Sequence, residues 1–208
     1  MNYLEFREKI KGFPLVKTDE LKLILGDTYT RSFLNNLANW EKAGYLIKVR
    51  KGLYFPADLV DAINPISLAT KIYYPSYVSL ETALGYYGII PEAVFTTTSV
   101  TSRKTKTFRN NVFGVFSYQK IKKEAFGGFN TFKKDGISYN MATPEKAIVD
   151  FLYLNRNIIN ESHKQFEGYR FDEDFEYNVA ELLRFAKFFE NKKTLLLTNN
   201  FIKQYVTK

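Results

Sequence analysis

Residues 18–55, TDELKLILGDTYTRSFLNNLANWEKAGYLIKVRKGLYF, decide how the first part of this chain folds. Their apolar spacing predicts a helix capped by Thr18, a turn at Gly26-Asp27, and a longer helix from about residue 28 to residue 43. Residues 45–55 then read as a strand, a tight turn and a second strand. Two helices followed by a β-hairpin are typical of a winged helix-turn-helix, a fold that holds one helix in a groove of DNA.

The longer helix has an apolar side and a polar side. Phe33, Leu34, Leu37 and Trp40 are predicted to face inward, which turns short polar side chains outward. In the major groove Asn pairs with adenine and Arg with guanine, while basic residues nearby hold phosphates. The predicted DNA-binding residues are Thr28, Thr30, Arg31, Ser32, Asn35, Asn36 and Asn39 on the helix, and Lys48, Arg50 and Lys51 on the hairpin.

The charge of the chain favours the same partner. Between residues 28 and 55 the chain has five basic residues and a single acid, Glu41. The whole chain of 208 residues carries a net charge of +8, which favours a polyanionic partner. A winged domain can also serve only to bind protein, with a solvated polar helix, so a protein-interaction module without DNA affinity stays open.

The composition argues against several other kinds of function. The absence of Cys removes disulfides, Cys-based zinc sites and thiol nucleophiles, and the single His, His163, reads as a surface residue rather than a ligand. We therefore predict no metal and no cofactor. No apolar run approaches the ~20 residues that a membrane span needs, so we predict a cytoplasmic protein with no membrane partner.

The residues after the hairpin predict a second domain. Pro56 and the polar residues up to Asp61 read as a linker, so we place a winged helix-turn-helix domain at residues 1–58 and a second domain at residues 59–208. Helices are predicted after the caps Asn64, Ser79 and Thr143, at 179–189 and at about 195–205, and β-segments at 94–100, 113–121, 128–132 and 137–142. The predicted fold class is α+β, with the winged helix-turn-helix followed by a mixed, helix-flanked β-sheet domain and C-terminal helices.

A second set of basic residues, the central basic patch, lies in the middle of the chain. Residues 103–109 read as a loop rich in Ser, Thr and Asn. The patch consists of Arg103, Lys104, Lys106, Arg109, Lys120, Lys122 and Lys123. Such a patch can bind an acidic partner or neutralise phosphates, but charge runs are also typical of a solvated face that binds nothing.

A metal nuclease is a third possibility. It would use clustered acids and a Lys, for which the candidates are Glu81, Asp135, Glu145, Lys146 and Asp150. Glu81 and Glu145 each fall in the first turn of a predicted helix, where a carboxylate interacts favourably with the helix dipole without any catalytic role. We therefore predict that the chain is not an enzyme.

Five motifs follow one another along the chain. They are WEKAGYLI at residues 40–47, RKGLY at 50–54, YVSLETALGYYG at 77–88, Pro91-Glu92, and TPEKA at 143–147 running on to Asp150. In this order they resemble the antitoxins of the abortive-infection AbiE type, a family of bacterial toxin-antitoxin components. The resemblance spans about residues 18–154, and the residues after Asn155 match nothing in it.

The resemblance implies a transcriptional regulator that binds double-stranded DNA at its own promoter and represses it. It also implies an antitoxin domain that counters a nucleotidyltransferase-like toxin. In that family the antitoxin is thought to act without a stable inhibitory complex, so no direct toxin contact is implied. A stand-alone transcription factor that kept the fold and has no toxin partner is the alternative.

Overall fold

The structure is a computed structural model that describes residues 1–91, 95–159 and 166–206. Within those residues the chain is a mixed α+β protein with one three-stranded and one six-stranded sheet, so the predicted α+β class is confirmed. Glu92 of the Pro-Glu motif, Val94 of a predicted strand, and His163 lie outside the described residues.

The N-terminal part consists of helices and a three-stranded antiparallel sheet. Its elements are α1 (Tyr3–Lys9), β1 (Val16–Lys17), α2 (Thr18–Leu25), α3 (Arg31–Lys42), β2 (Leu46–Arg50) and β3 (Leu53–Pro56), and the strand order is β1-β3-β2. Phe6 of α1 packs against the rings of Phe33 and Trp40 of α3, with centroids 5.7 and 5.0 Å away. These rings, with Leu21 of α2 and Leu37 of α3, form a small core that holds α2 and α3 against α1.

Both α2 and α3 begin differently from the prediction. α3 begins at Arg31, because Gly26–Thr28 form a separate 3-10 turn before it. Thr18 is the first residue of α2 rather than its cap, and its hydroxyl lies 3.5 Å from the carbonyl oxygen of Gly52. The Thr18 hydroxyl therefore faces the hairpin turn instead of the start of its own helix.

The inward stripe of α3 is narrower than predicted. Phe33 and Leu37 are buried, and Trp40 is half-buried on the same side. The prediction for Leu34 is wrong, since this side chain is 41% exposed. Leu34 lies about 100° around the helix from Phe33, outside the stripe that meets α1.

The larger part is a six-stranded mixed sheet with helices packed on it. Its elements are α4 (Pro65–Ile72), β4 (Ser76–Val78), α5 (Leu80–Tyr86), β5 (Thr96–Thr101), β6 (Lys106–Asn110), β7 (Gly114–Lys120), β8 (Phe129–Lys134), β9 (Ile137–Ala142), α6 (Pro144–Asn155), α7 (Val179–Phe188) and α8 (Lys192–Tyr205). The strand order is β6-β7-β5-β4-β9-β8. β5 runs parallel to β7 and β4 parallel to β9, while the other neighbouring pairs are antiparallel.

β6 corrects the second half of the loop predicted for residues 103–109, because the strand begins at Lys106. It pairs antiparallel with β7, from Lys106 opposite Tyr118 to Asn110 opposite Gly114. β6 is an edge strand, and charged side chains on an edge discourage pairing with another chain. A polar edge strand of this kind has the composition of a loop, which is why the sequence pattern misidentifies it.

A buried ion pair within α6 is joined to the sheet by hydrogen bonds from Tyr77 of β4 and its neighbour Ser79. Lys146 and Asp150 are 1% and 0% exposed, and the Lys146 ammonium donates to the Asp150 carboxylate. The hydroxyls of Tyr77 and Ser79 also donate to Asp150, each at 2.9 Å. Burial lowers the pKa of Lys146 and raises the pKa of Asp150, and the attraction between the two charges opposes both shifts.

The same network explains why Ser79 does not cap α5 as predicted. Its hydroxyl donates to Asp150 and makes no capping hydrogen bond. Thr98 of β5 takes that role instead, because its Oγ1 accepts a hydrogen bond from the amide N–H of Thr82 at 3.0 Å. The predicted cap Thr143 is confirmed, since its Oγ1 accepts from the amide N–H of Lys146 at the start of α6.

Replacing Lys146 with Met should lower the free energy of unfolding by about 3–5 kcal/mol, because Asp150 then stays buried without its cation. Chemical denaturation of the full chain measures the difference. Lys187→Met, at an exposed position of α7, is the matched control and should change stability by less than about 0.5 kcal/mol. Wild-type stability of Lys146→Met would contradict the structural role of the ion pair.

Candidate nucleic-acid interface

The exposed face of α3 carries most of the predicted base-reading residues. Thr30 caps the helix, and its Oγ1 accepts a hydrogen bond from the amide N–H of Phe33 at 3.2 Å. Arg31, Asn35 and Asn39 follow at intervals of four residues and are all exposed. Residues spaced by four lie above one another on a helix, so these side chains form one polar stripe.

The other predicted residues of this segment differ in their surroundings. Asn36 is half-buried, and its Nδ2 donates to the carbonyl oxygen of Met1 at 3.3 Å. The hydroxyl of Thr28 donates to the carbonyl oxygen of Leu25 in the turn before α3. Ser32 is exposed in the first turn of the helix. Asn36 and Thr28 therefore support neighbouring backbone, whereas Ser32 faces solvent beside the stripe.

The hairpin presents Lys48, Arg50 and Lys51, all of them exposed. Lys48 pairs with Glu41 of α3, with Nζ and Oε2 3.3 Å apart. An exposed pair of this kind contributes about 0–1 kcal/mol, so a phosphate can replace the carboxylate at small cost. Arg50 and Lys51 form no ion pair with any residue that the structure describes, which leaves their charges open to an external anion.

A β-bulge at Val49 separates the directions of Lys48 and Arg50. Lys48 lies opposite Tyr54 but Arg50 lies opposite Leu53, so β2 has one more residue than β3 between these two pairs. Paired residues of antiparallel strands share a face of the sheet. Tyr54 packs on the small core under α3, whereas Leu53 belongs to the core of the six-stranded sheet. Lys48 therefore lies on the α3 side and Arg50 on the side of the larger sheet.

The larger sheet holds the hairpin at this bulge. Asn110, at the end of β6, donates from its Nδ2 to the carbonyl oxygens of Lys48 at 2.9 Å and Val49 at 3.2 Å. Phe113 meets Phe55 of β3 edge-on, with ring centroids 5.4 Å apart. The sequence pattern does not predict either contact, because the turn at residues 110–114 has no repeating pattern that indicates what packs against it.

The members of the central basic patch do not share one face. Lys106 lies on the same face of β6 as Phe108, with its Nζ 4.9 Å from the ring centroid. Arg109 points to the opposite face, because side chains alternate along a strand. The guanidinium of Arg103 lies 5.1 Å from the centroid of Tyr73. Arg103 and Lys106 are thus placed over aromatic rings, and Arg109 is separate from them.

The rest of the patch is mixed. Lys122 pairs with Glu190, with Nζ and Oε2 2.7 Å apart, and this contact lowers the pKa of Glu190. The other members, Lys104, Lys120 and Lys123, are exposed. Within the patch, Lys122 is thus already paired within the protein, and Arg109 points away from Lys106.

Three of the four acids considered for a metal nuclease take part in separate contacts, and Glu81 is half-buried in the first turn of α5. Asp150 belongs to the buried ion pair of α6. Asp135 accepts from the amide N–H of Asn64 at 3.3 Å, and Glu145 accepts from the amide N–H of Asn178 at 3.1 Å. In the part of the chain that the structure describes, no three His, Cys, Asp or Glu residues are grouped so as to hold a metal ion.

No protein-family model matches this chain, and no curated protein matches it. Among the described residues, no helix has the length and apolar character needed to cross a membrane.

Proposed function

We propose that this protein is a DNA-binding transcriptional regulator in which residues 1–58 act as a winged helix-turn-helix. One observation carries the proposal. The polar stripe of Arg31, Asn35 and Asn39 on α3 and the basic side chains of Arg50 and Lys51 on the hairpin are all exposed. A helix of 12 residues such as α3 is about 18 Å long and fits the major groove, where Asn and Arg reach base edges. The basic side chains of the hairpin then contact phosphate.

A gel-shift assay with the DNA upstream of the gene tests this proposal. The full chain should retard that DNA at low salt, and an unrelated DNA of equal length should bind more weakly. A protein-interaction module without DNA affinity would give no shift with either DNA. The absence of any shift at low salt would contradict the proposal.

Replacing Arg50 and Lys51 together with Ala should weaken binding to all DNA sequences by a similar factor. Each lost phosphate contact reduces the slope of log K against log salt by about one, so the slope should fall by about two. Lys187→Ala with Lys203→Ala is the matched control, because it removes the same charge from exposed positions on α7 and α8. An equal effect of the two double variants would show that only net charge matters.

Asn35→Ala and Asn36→Ala form a second matched pair, because the two residues are adjacent on α3. Asn35 is exposed, so its loss should relax the preference for one base pair of the site by about 1–3 kcal/mol. Asn36 donates to the Met1 carbonyl, so its loss should leave the base preference unchanged. Binding to a panel of single-base variants of the site measures both. If Asn36→Ala changes the base preference and Asn35→Ala does not, the base-contacting face of α3 is not the stripe that contains Asn35.

We further propose that the regulator acts in the cytoplasm as the antitoxin of a toxin-antitoxin pair, represses its own promoter and counters a nucleotidyltransferase-like toxin. The motif resemblance supports this role. Two of the motifs also contact each other, since TPEKA opens α6, where Lys146 meets Asp150, and YVSLE supplies Tyr77 and Ser79, whose hydroxyls donate to Asp150.

Co-expression with a nucleotidyltransferase-like toxin, if one is encoded beside the gene, tests the antitoxin role. The full chain should restore growth, and the Arg50→Ala, Lys51→Ala variant should restore it equally, because relief of toxicity does not need the DNA contact. If neither chain restores growth while the wild type still binds its upstream DNA, the protein is a stand-alone transcription factor.

A further inference from the structure

The direction of Arg50 is set by the bulge at Val49. In a regular strand Arg50 and Lys48 would share a face, because side chains repeat every second residue. The extra residue at the bulge shifts Arg50 to the face of the larger sheet. Burial raises the pKa of the Tyr118 hydroxyl in β7, and the positive charge of Arg50 opposes part of that rise, as expected for a guanidinium on this side of the hairpin.

Asn110 is built to hold this bulge in place. Its Oδ1 accepts from the amide N–H groups of Val112 at 2.9 Å and Phe113 at 3.1 Å, inside its own turn. Its Nδ2 points the other way and donates to the carbonyl oxygens of Lys48 and Val49. Both ends of the carboxamide are therefore engaged, and a flipped amide would bring its NH2 group against two N–H donors.

We propose that Asn110 is a positioning residue for DNA binding. It holds the bulged segment of β2 and so aims Arg50 toward phosphate while Lys48 stays beside α3. The inference rests on the proposed function and extends it, because a residue of the larger sheet then controls a contact made by the hairpin. Asn110 does not itself touch DNA, since its amide is used within the protein.

Asn110→Asp separates the two halves of this side chain. Asp keeps an acceptor oxygen for the amides of Val112 and Phe113, so the turn is retained. It replaces the donor with an anionic oxygen that faces the carbonyl oxygens of Lys48 and Val49.

Asn111→Asp is the matched control for this variant. Asn111 is the exposed neighbour in the same turn, so the control adds the same charge without removing the contact to the hairpin.

Two measurements on the full chain follow the effect. Amide hydrogen exchange should become faster across residues 46–50 in Asn110→Asp and stay at the wild-type rate in Asn111→Asp. DNA binding near 0.1 M salt should become about tenfold weaker in Asn110→Asp than in Asn111→Asp, with a salt slope lower by about one. In an Arg50→Ala background, Asn110→Asp should weaken binding no more than Asn111→Asp does.

Unchanged exchange across residues 46–50 in Asn110→Asp would overturn the inference, whatever the DNA result. Equal DNA affinity and slope for Asn110→Asp and Asn111→Asp would also overturn it and leave the proposed function intact. If the wild type binds no DNA at low salt, the proposed function fails and the role in DNA binding fails with it. The exchange rates then still decide whether Asn110 holds the bulge.

Discussion

The β2–β3 hairpin is buried on both faces, and the rest of the structure is arranged around that constraint. Leu46 belongs to the small core under α1 and α3, while Leu53 and Phe55 belong to the core of the larger sheet. A strand covered on both faces normally carries a near-continuous apolar run. The charged side chains of this hairpin gather near its tip: Lys48 lies on the α3 side, Arg50 follows the bulge and Lys51 lies in the turn.

This burial on two faces affects how rigid a small N-terminal DNA-binding unit can be. About 60 residues bury only a modest core by themselves, so such a unit has little stability to spare. The edge-on contact of Phe55 with Phe113 and the hydrogen bonds from Asn110 add support from outside the unit. On the proposed function, the angle between α3 and the hairpin is then fixed before DNA arrives, which avoids an ordering cost on binding.

The sequence predicts those features that have a local period. Phe33, Leu37 and Trp40 repeat as a helix requires, and Gly52 between two apolar runs indicates the hairpin. The bulge and its partner are not predictable in this way, because the Asn110 amide meets residues 62 and 61 positions away in the chain. The sequence pattern misses β6 because an edge strand needs no apolar face. It wrongly predicts Ser79 as a helix cap because the Ser79 hydroxyl donates to the buried carboxylate of Asp150, which is distant in sequence.

Hydrogen exchange of the full chain, free and bound to its upstream DNA, tests the central claim most directly. The account predicts that bound DNA protects the amides of the first turns of α3, residues 31–36, and of the hairpin, residues 46–53. The amides of β8 and β9, on the far edge of the larger sheet, should exchange at the same rate in both states. Protection confined to the larger sheet, with α3 and the hairpin unchanged, would contradict it.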